Sequence, residues 1–139
     1  MVYHQRHDYG TKYVTQFKIN VHISYILECG AKADVVFVLD SSGSVGSANW
    51  HLMLKFVQDV VNIFTIGRND VQVGVDIFGV SASTKIGLQT YNTKTAITSA
   101  VKQISFLSSG NTNTFLAIQH MTKNSFSSSH GTMMLLFPS

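Results

Sequence analysis

Charge is scarce in this chain. Charged side chains make up 12% of its 139 residues, whereas 45% of the residues are hydrophobic. An ordinary domain carries about 25% charged residues, and a disordered chain combines high charge with low hydrophobicity. The composition therefore argues against disorder and predicts one folded domain with a substantial core.

Basic clusters and long apolar runs are also missing. The net charge is only +3, and the lysines and arginines are scattered along the chain, so we expect no nucleic-acid partner. No apolar run approaches the about 18 residues of a membrane helix, so we expect no membrane span. The start of the chain, residues 1–8, is polar, and no apolar segment of an export signal follows it.

Cysteine is limited to Cys29, which excludes a disulfide bond within the chain. Cys29 is either a buried thiol or one half of a bridge to a cysteine outside the chain. A second candidate for metal or redox chemistry is the cluster His4, His7 and Asp8, in a segment that we expect to be unstructured. Because a structural zinc site needs four placed ligands, we interpret this cluster as coincidence.

The most informative segment is an apolar run, residues 35–39, that ends abruptly at Asp40 and several hydroxyl side chains. Such a run is typical of a parallel strand buried on both faces, and ligands of open α/β sheets bind beyond the carboxyl ends of such strands. Asp40, Ser42 and Ser44 offer only oxygen atoms, which favours a hard cation such as Mg2+, Mn2+ or Ca2+. The alternative is an ordinary turn followed by a helix cap.

Hydrophobic spacing predicts the element order β-α-β-β-α-α-β. With valine-rich strands, this order indicates a Rossmann-like α/β sheet that has helices on both faces. The aromatic side chains are expected to pack in or near the core. The predicted elements are a possible strand at 17–23, strand 34–39, helix 48–64 with caps at Ser47 or Asn49 and at Gly67, strands 70–78 and 83–88, helices 93–104 and 114–123, and strand 132–137.

A second hydroxyl-rich loop, residues 110–114, precedes the last predicted helix. It could supply the other half of a site at the same end of the sheet. Together, residues 33–46, 71–75 and 109–118 resemble the first strand with its metal loop, the second strand, and the second metal loop of a von Willebrand factor type A domain. The resemblance extends over about residues 29–137. Its motifs resemble those of the matrilin and collagen-associated domains of the extracellular matrix and those of integrin inserted domains.

The resemblance implies a three-layer α/β/α domain over residues 32–139, preceded by an unmatched extension, residues 1–31. Only the first four strands and first three helices of that fold have counterparts here. In matrix-type members a cysteine placed like Cys29 often pairs with one after the last helix. The resemblance also implies an extracellular location.

In that family the site is a metal-ion-dependent adhesion site, abbreviated MIDAS. The resemblance implies that Ser42 and Ser44 ligate the cation through their hydroxyls, that Asp40 binds it directly or through water, and that Thr112 joins when ligand binds. Thr112 could instead cap the following helix. A cation held by one carboxylate stays under-neutralised, so an acidic side chain of a collagen or another matrix protein would complete the site. Such a module is not an enzyme, and no general base is paired with a nucleophile in the sequence.

One segment of the family site has no counterpart. An aspartate normally follows the fourth strand, whereas here the chain continues from Phe137 to Pro138 and Ser139. We therefore expect weak metal binding, an incomplete domain, and an apolar sheet edge at residues 133–137 that favours aggregation. Two alternatives stay open: a fragment without a functional metal site, and an intracellular subunit of an ATPase- or chelatase-linked complex.

Overall fold

A computed structural model describes the backbone of residues 2–7, 10–15, 32–126 and 131–137, and the side chains of residues 32–126. Two segments of the sequence prediction, the possible strand at 17–23 and the surroundings of Cys29, lie outside these residues. The described strands are β1 (Val2–His7), β2 (Gly10–Thr15), β3 (Ala33–Asp40), β4 (Val71–Phe78), β5 (Ala82–Ile86) and β6 (Gly131–Phe137). The described α-helices are α1 (Gly46–Ile63), α2 (Lys94–Lys102) and α3 (Thr114–His120), and α3 continues into a π-helical turn, Met121–Ser125.

The valine-rich strand β3 lies inside a sheet of order β2-β1-β6-β3-β4-β5. It runs parallel to both β4 and β6, and all eight of its residues are buried. β5 pairs with β4 in the antiparallel direction. The prediction of a buried parallel strand that ends at Asp40 is therefore confirmed.

Helices cover both faces of this sheet. Val35, Phe37 and Leu39 point to one face, where they join the apolar side chains of α1 and α2 in the larger core. Val36 and Val38 point to the other face, where they pack with residues of α3 and the π-helical turn. These layers confirm the predicted α/β/α arrangement. Among the described residues, no helix is long and apolar enough to cross a membrane.

The first helix, α1, forms where the apolar spacing predicted it, but its predicted caps are wrong. Its buried face is Trp50, Leu54, Val57, Val60 and Val61, which recur every three or four residues. The residue before it, Val45, makes no side-chain cap. Asn49 instead donates to the Val45 carbonyl at 2.9 Å, and Gly67 lies in the turn that leads into β4, where its N–H donates to the Val71 carbonyl at 3.2 Å.

The beginning of the chain extends the sheet. β1 and β2 form an antiparallel hairpin, and β1 also pairs antiparallel with β6, with Val2 opposite Leu136 and Arg6 opposite Thr132. β6 is therefore flanked by β3 and β1, so the expected exposed edge at residues 133–137 is wrong. The expectation of an unstructured start is also wrong for the backbone of residues 2–7, which includes His4 and His7, whereas Asp8 lies outside the described residues.

Candidate metal centre

The candidate site begins where β3 ends. The Asp40 carboxylate is fully buried, and its Oδ1 accepts the backbone N–H of Ser42 at 2.8 Å. This bond turns the chain sharply after the strand, as aspartate side chains commonly do. The turn brings the Ser42 Oγ within 3.0 Å of the Ser44 Oγ. Ser42 is buried and Ser44 is exposed, so the pair of hydroxyls lies at the boundary with solvent.

The spacing of the two hydroxyls fits a hard cation. Octahedral Mg2+ holds its oxygen ligands at about 2.0–2.1 Å, so two adjacent ligands lie about 2.9 Å apart. The Ser42 and Ser44 oxygens are separated by 3.0 Å without any rearrangement of the loop. The donor set also fits, because Mg2+, Mn2+ and Ca2+ bind carboxylate and hydroxyl oxygens.

The second predicted loop lies directly beside the first. Gly43 N–H donates to the Ser109 carbonyl at 2.7 Å, and Ser109 N–H donates to the Ser41 carbonyl at 3.1 Å. The buried Ser41 hydroxyl accepts the Leu107 N–H at 2.8 Å. Hydrogen bonds therefore join the loop after β3 to residues 107–109, the segment directly before residues 110–114 that were predicted to supply the other half of the site.

Thr112 is exposed in this second loop. It does not cap α3, because that cap is Asn113, whose Oδ1 accepts the Leu116 N–H at 3.1 Å. The alternative of Thr112 as a helix cap is therefore wrong. The structure brings Asp40, Ser42 and Ser44 together directly, and it connects Thr112 to them through the loop that contains Ser109.

Sequence reasoning missed the residues that hold the two loops together. They are Ser41, Ser109 and Gly79, whose carbonyl accepts the Asn113 N–H at 2.9 Å. A Cβ atom at Gly79 would lie 1.8 Å from the Ser109 Oγ, so only glycine allows this close approach. A glycine directly after a predicted strand was the signal that could have found this contact.

The electrostatics of the site depend on one carboxylate. Among the described residues, Asp40 is the carboxylate that ends β3, whereas the carboxylate of β4, Asp76, accepts the Ser125 hydroxyl. No cluster of three or more His, Cys, Asp or Glu side chains that could hold a metal ion occurs among these residues. The remaining candidate ligands are neutral hydroxyls. A divalent cation in this loop would keep about one unit of positive charge, which favours a further acidic ligand from outside the chain.

Comparison with known proteins gives a consistent match over the same segment. Residues 34–137 match the family model of the von Willebrand factor type A domain. The chain is 34% identical over 102 residues to the collagen alpha-1(XII) chain of Notophthalmus viridescens, which is 72% of this chain and 11% of that protein. It is also 34% identical over 100 residues to matrilin-2 of Mus musculus, which is 72% of this chain and 10% of that protein. The match thus spans only about a tenth of the length of these relatives.

Solved structures agree with the described fold. The proximal thread matrix protein 1 of the mussel byssus, with a zinc-occupied MIDAS motif, superimposes with a TM-score of 0.67 and 28% identity, over 70% of this chain and 26% of that chain. The manganese-loaded TRAP protein of Plasmodium vivax superimposes with a TM-score of 0.61 and 21% identity, over 68% of this chain and 39% of that chain. Because the TRAP protein is only 21% identical to this chain, its similarity supports the fold alone.

Proposed function

Because the chain belongs to the von Willebrand factor type A domain family, we propose that it is a divalent-cation-dependent protein-binding module of the extracellular matrix. The observation that carries this proposal is the pair of hydroxyls of Ser42 and Ser44, 3.0 Å apart beside the buried carboxylate of Asp40. One carboxylate and several hydroxyls suit recognition through a cation better than catalysis, which would need an activated nucleophile or a general base.

Each proposed ligand has a distinct role. Ser42 and Ser44 would hold Mg2+ or Mn2+ through their hydroxyls, and Asp40 would bind it directly or through water. Thr112 would join from the second loop when a partner binds. The cation, when bound, supplies the positive charge that a carboxylate of the partner neutralises.

The surrounding residues keep the two halves of the site in position. The Ser42 N–H holds the Asp40 carboxylate in one orientation. The Ser41 hydroxyl and carbonyl hold the loop that carries Thr112. A cation and a partner would therefore meet a preorganised set of oxygen atoms, which lowers the entropic cost of binding.

The proposed partner is a protein that offers an acidic side chain, such as a collagen or another matrix protein, and the proposed location is extracellular. The similarity to collagen XII and matrilin-2 supports both statements. The same relatives disfavour the intracellular ATPase- or chelatase-linked alternative. The remaining alternative is a fragment without a functional metal site, and the following experiment distinguishes it from the proposal.

The test is binding of the full chain to immobilised fibrillar collagen in Mg2+ or in EDTA. We expect binding in Mg2+ and its loss in EDTA, because the cation bridges the two proteins. Ser44→Ala removes one proposed ligand and should weaken binding, whereas Ser47→Ala, an exposed serine in α1, should leave it unchanged. Equal binding in EDTA would contradict the cation dependence, and no binding in either condition would overturn fibrillar collagen as the partner.

A further inference from the structure

A cavity of about 300 Å3 lies between β5 and the π-helical turn that follows α3. Thr84 and Asn124, which line it, are exposed, so the cavity opens to solvent. Its volume is at the lower end of the range for small-molecule sites, about 300–1,000 Å3. None of the proposed metal ligands lines it. The apolar residues that line it include Val36, Ile86 and Leu88, and the polar ones include Thr84, Asn124 and Ser125.

One hydrogen bond separates this cavity from a buried carboxylate. Asp76 is 1% exposed, and its Oδ2 accepts the hydroxyl of Ser125 at 2.5 Å. Asp76 also lies opposite Thr84 in the ladder of β4 and β5. Its Oδ1 accepts no hydrogen bond among the described residues. Because a buried charge is unfavourable unless partners compensate it, this carboxylate favours a positive charge in the cavity.

The hydrogen bonds around the carboxylate run in one direction. Asn124 Nδ2, which can only donate, lies 3.2 Å from Nδ1 of His120, so the proton of the neutral imidazole is on Nε2. Nε2 then donates to the Thr84 hydroxyl oxygen at 3.0 Å. The Thr84 hydroxyl lies 3.4 Å from the Ser125 Oγ, which itself donates to Asp76. Both hydroxyl protons are therefore directed along this chain toward the carboxylate.

This direction leaves three residues of the cavity with acceptor oxygens. Thr84 and Ser125 use their O–H groups as donors, so each oxygen keeps a lone pair. Asn124 uses Nδ2 for Nδ1 and for the backbone carbonyl of His120, the latter at 3.0 Å, which leaves its Oδ1 as an acceptor. Among the described residues that line the cavity, none is charged. A primary ammonium group, with three N–H donors and no acceptor, matches this set.

We propose that the cavity binds a small molecule that carries a primary ammonium group on a short apolar chain. The ammonium group would donate to Thr84, Ser125 and Asn124, and the chain would pack on the apolar residues of the cavity. The charge of Asp76 would favour the ammonium group over a neutral group of the same size. This site is separate from the candidate metal centre and does not depend on the proposed function.

The experiment titrates n-butylammonium into the full chain and follows the backbone amide resonances by NMR spectroscopy. EDTA is present throughout, so the candidate metal centre does not contribute. We expect saturable shifts at Thr84 and Ser125 with a Kd of about millimolar order, because the ligand is small. n-Butanol has the same apolar chain without the charge, and it should bind about tenfold more weakly. NaCl at equal concentration is the control for ionic strength.

Two variants test the charge and the acceptors separately. Asp76→Asn keeps an oxygen that can accept the Ser125 hydroxyl but removes the charge, so it should weaken butylammonium binding by about tenfold. Thr84→Val removes one acceptor at an exposed position and should also weaken binding, which tests the site even if Asp76→Asn does not fold. Asp59→Asn, on the exposed side of α1, is the matched control and should bind as the wild-type chain does.

A further control addresses apolar surface outside the cavity. Phe115, an aromatic residue expected to pack in or near the core, is instead 70% exposed at the start of α3. Phe115→Ser should therefore leave the titration unchanged, and loss of binding in this variant would overturn the assignment to the cavity.

Four results in the wild-type chain and the site variants would overturn the proposal. They are the absence of saturable shifts, equal affinity for butylammonium and butanol, unchanged affinity in both Asp76→Asn and Thr84→Val, and the same shifts with NaCl alone. The last result would assign the acceptor oxygens to a metal ion instead of an ammonium group. None of these results would affect the proposed function, because the metal centre is tested by Mn2+ titration.

Discussion

The hydroxyl of Ser125 in the π-helical turn donates a hydrogen bond of 2.5 Å to Oδ2 of Asp76 in β4. Asp76 is 1% exposed, and its Oδ1 accepts no hydrogen bond among the described residues. The Thr84 hydroxyl lies 3.4 Å from the Ser125 hydroxyl and 3.0 Å from Nε2 of His120. A chain of polar side chains thus connects a buried carboxylate of the sheet to the end of α3.

This hydrogen bond predicts that a single substitution lowers the free energy of unfolding more than a double substitution does. Ser125→Ala removes the donor and leaves the buried carboxylate unsatisfied, so we expect a loss of about 2–3 kcal/mol in the free energy of unfolding. Asp76→Val combined with Ser125→Ala replaces both partners by apolar groups and should recover most of that loss. Urea denaturation of the two variants measures the difference. Equal destabilisation of the single and double variants would contradict this interpretation.

The glycine between the two halves of the site predicts a second effect. In Gly79→Ala the new Cβ would lie 1.8 Å from the Ser109 Oγ and 2.8 Å from its Cβ, so the second loop must move. We expect a loss of about 1–3 kcal/mol and weaker Mn2+ binding. Gly110→Ala is the matched control, because its Cβ meets nothing within 4 Å. If thermal denaturation gives the same Tm for both variants, Gly79 does not have this role.

Trp50 connects α1 to the segment before the second loop. Its Nε1–H donates to the Ile104 carbonyl at 3.2 Å, and its ring lies 5.5 Å from that of Phe106, centroid to centroid. Trp50→Phe keeps most of the apolar volume but loses the hydrogen bond, so we expect a loss of about 1–2 kcal/mol. His51→Ala, on the exposed side of the same helix, should change stability by less than about 0.5 kcal/mol. Urea denaturation followed by circular dichroism measures both, and equal effects would contradict the role of Trp50.

The hairpin of β1 and β2 predicts a change in self-association. Deletion of residues 1–15 would leave the backbone groups of β6 that pair with β1 without partners. An unpaired sheet edge pairs readily with another chain, so we expect the shortened chain to form oligomers as concentration rises. Light scattering over a concentration series measures this, with the full chain as the control. A monomeric shortened chain of unchanged Tm would contradict the protective role of the hairpin.

The central elements could be predicted from the sequence because their signals are local. The apolar run of β3, the three- and four-residue spacing of α1 and the alternation of β4 are each contained in one segment. The hairpin of β1 and β2 was missed because polar residues such as Gln5 and Arg6 interrupt its pattern. Its stabilising partner, β6, lies at the other end of the chain, and such pairing leaves no local pattern.

In the candidate site, too, only the features that lie within one short segment could be predicted from the sequence. Asp40, Ser42 and Ser44 lie within five consecutive residues, so their proximity could be predicted. The hydrogen bonds that connect Ser41, Gly79 and Ser109 join three separate segments, and no periodicity indicates them. The cap of α3 at Asn113 was missed for a different reason, because a threonine stands on either side of it and threonine is also a common N-cap residue.

The most direct test of the proposed function is calorimetric titration of Mn2+ into the full chain and two charge variants. Asp40→Asn keeps an oxygen that can accept the Ser42 N–H but removes the charge that holds the cation. Asp59→Asn removes an exposed carboxylate on α1 that pairs with Lys55. We predict saturable binding by the wild-type chain, binding weakened by about tenfold or more in Asp40→Asn, and unchanged binding in Asp59→Asn. No heat from the wild-type chain, or equal affinity in all three proteins, would contradict the proposed metal centre.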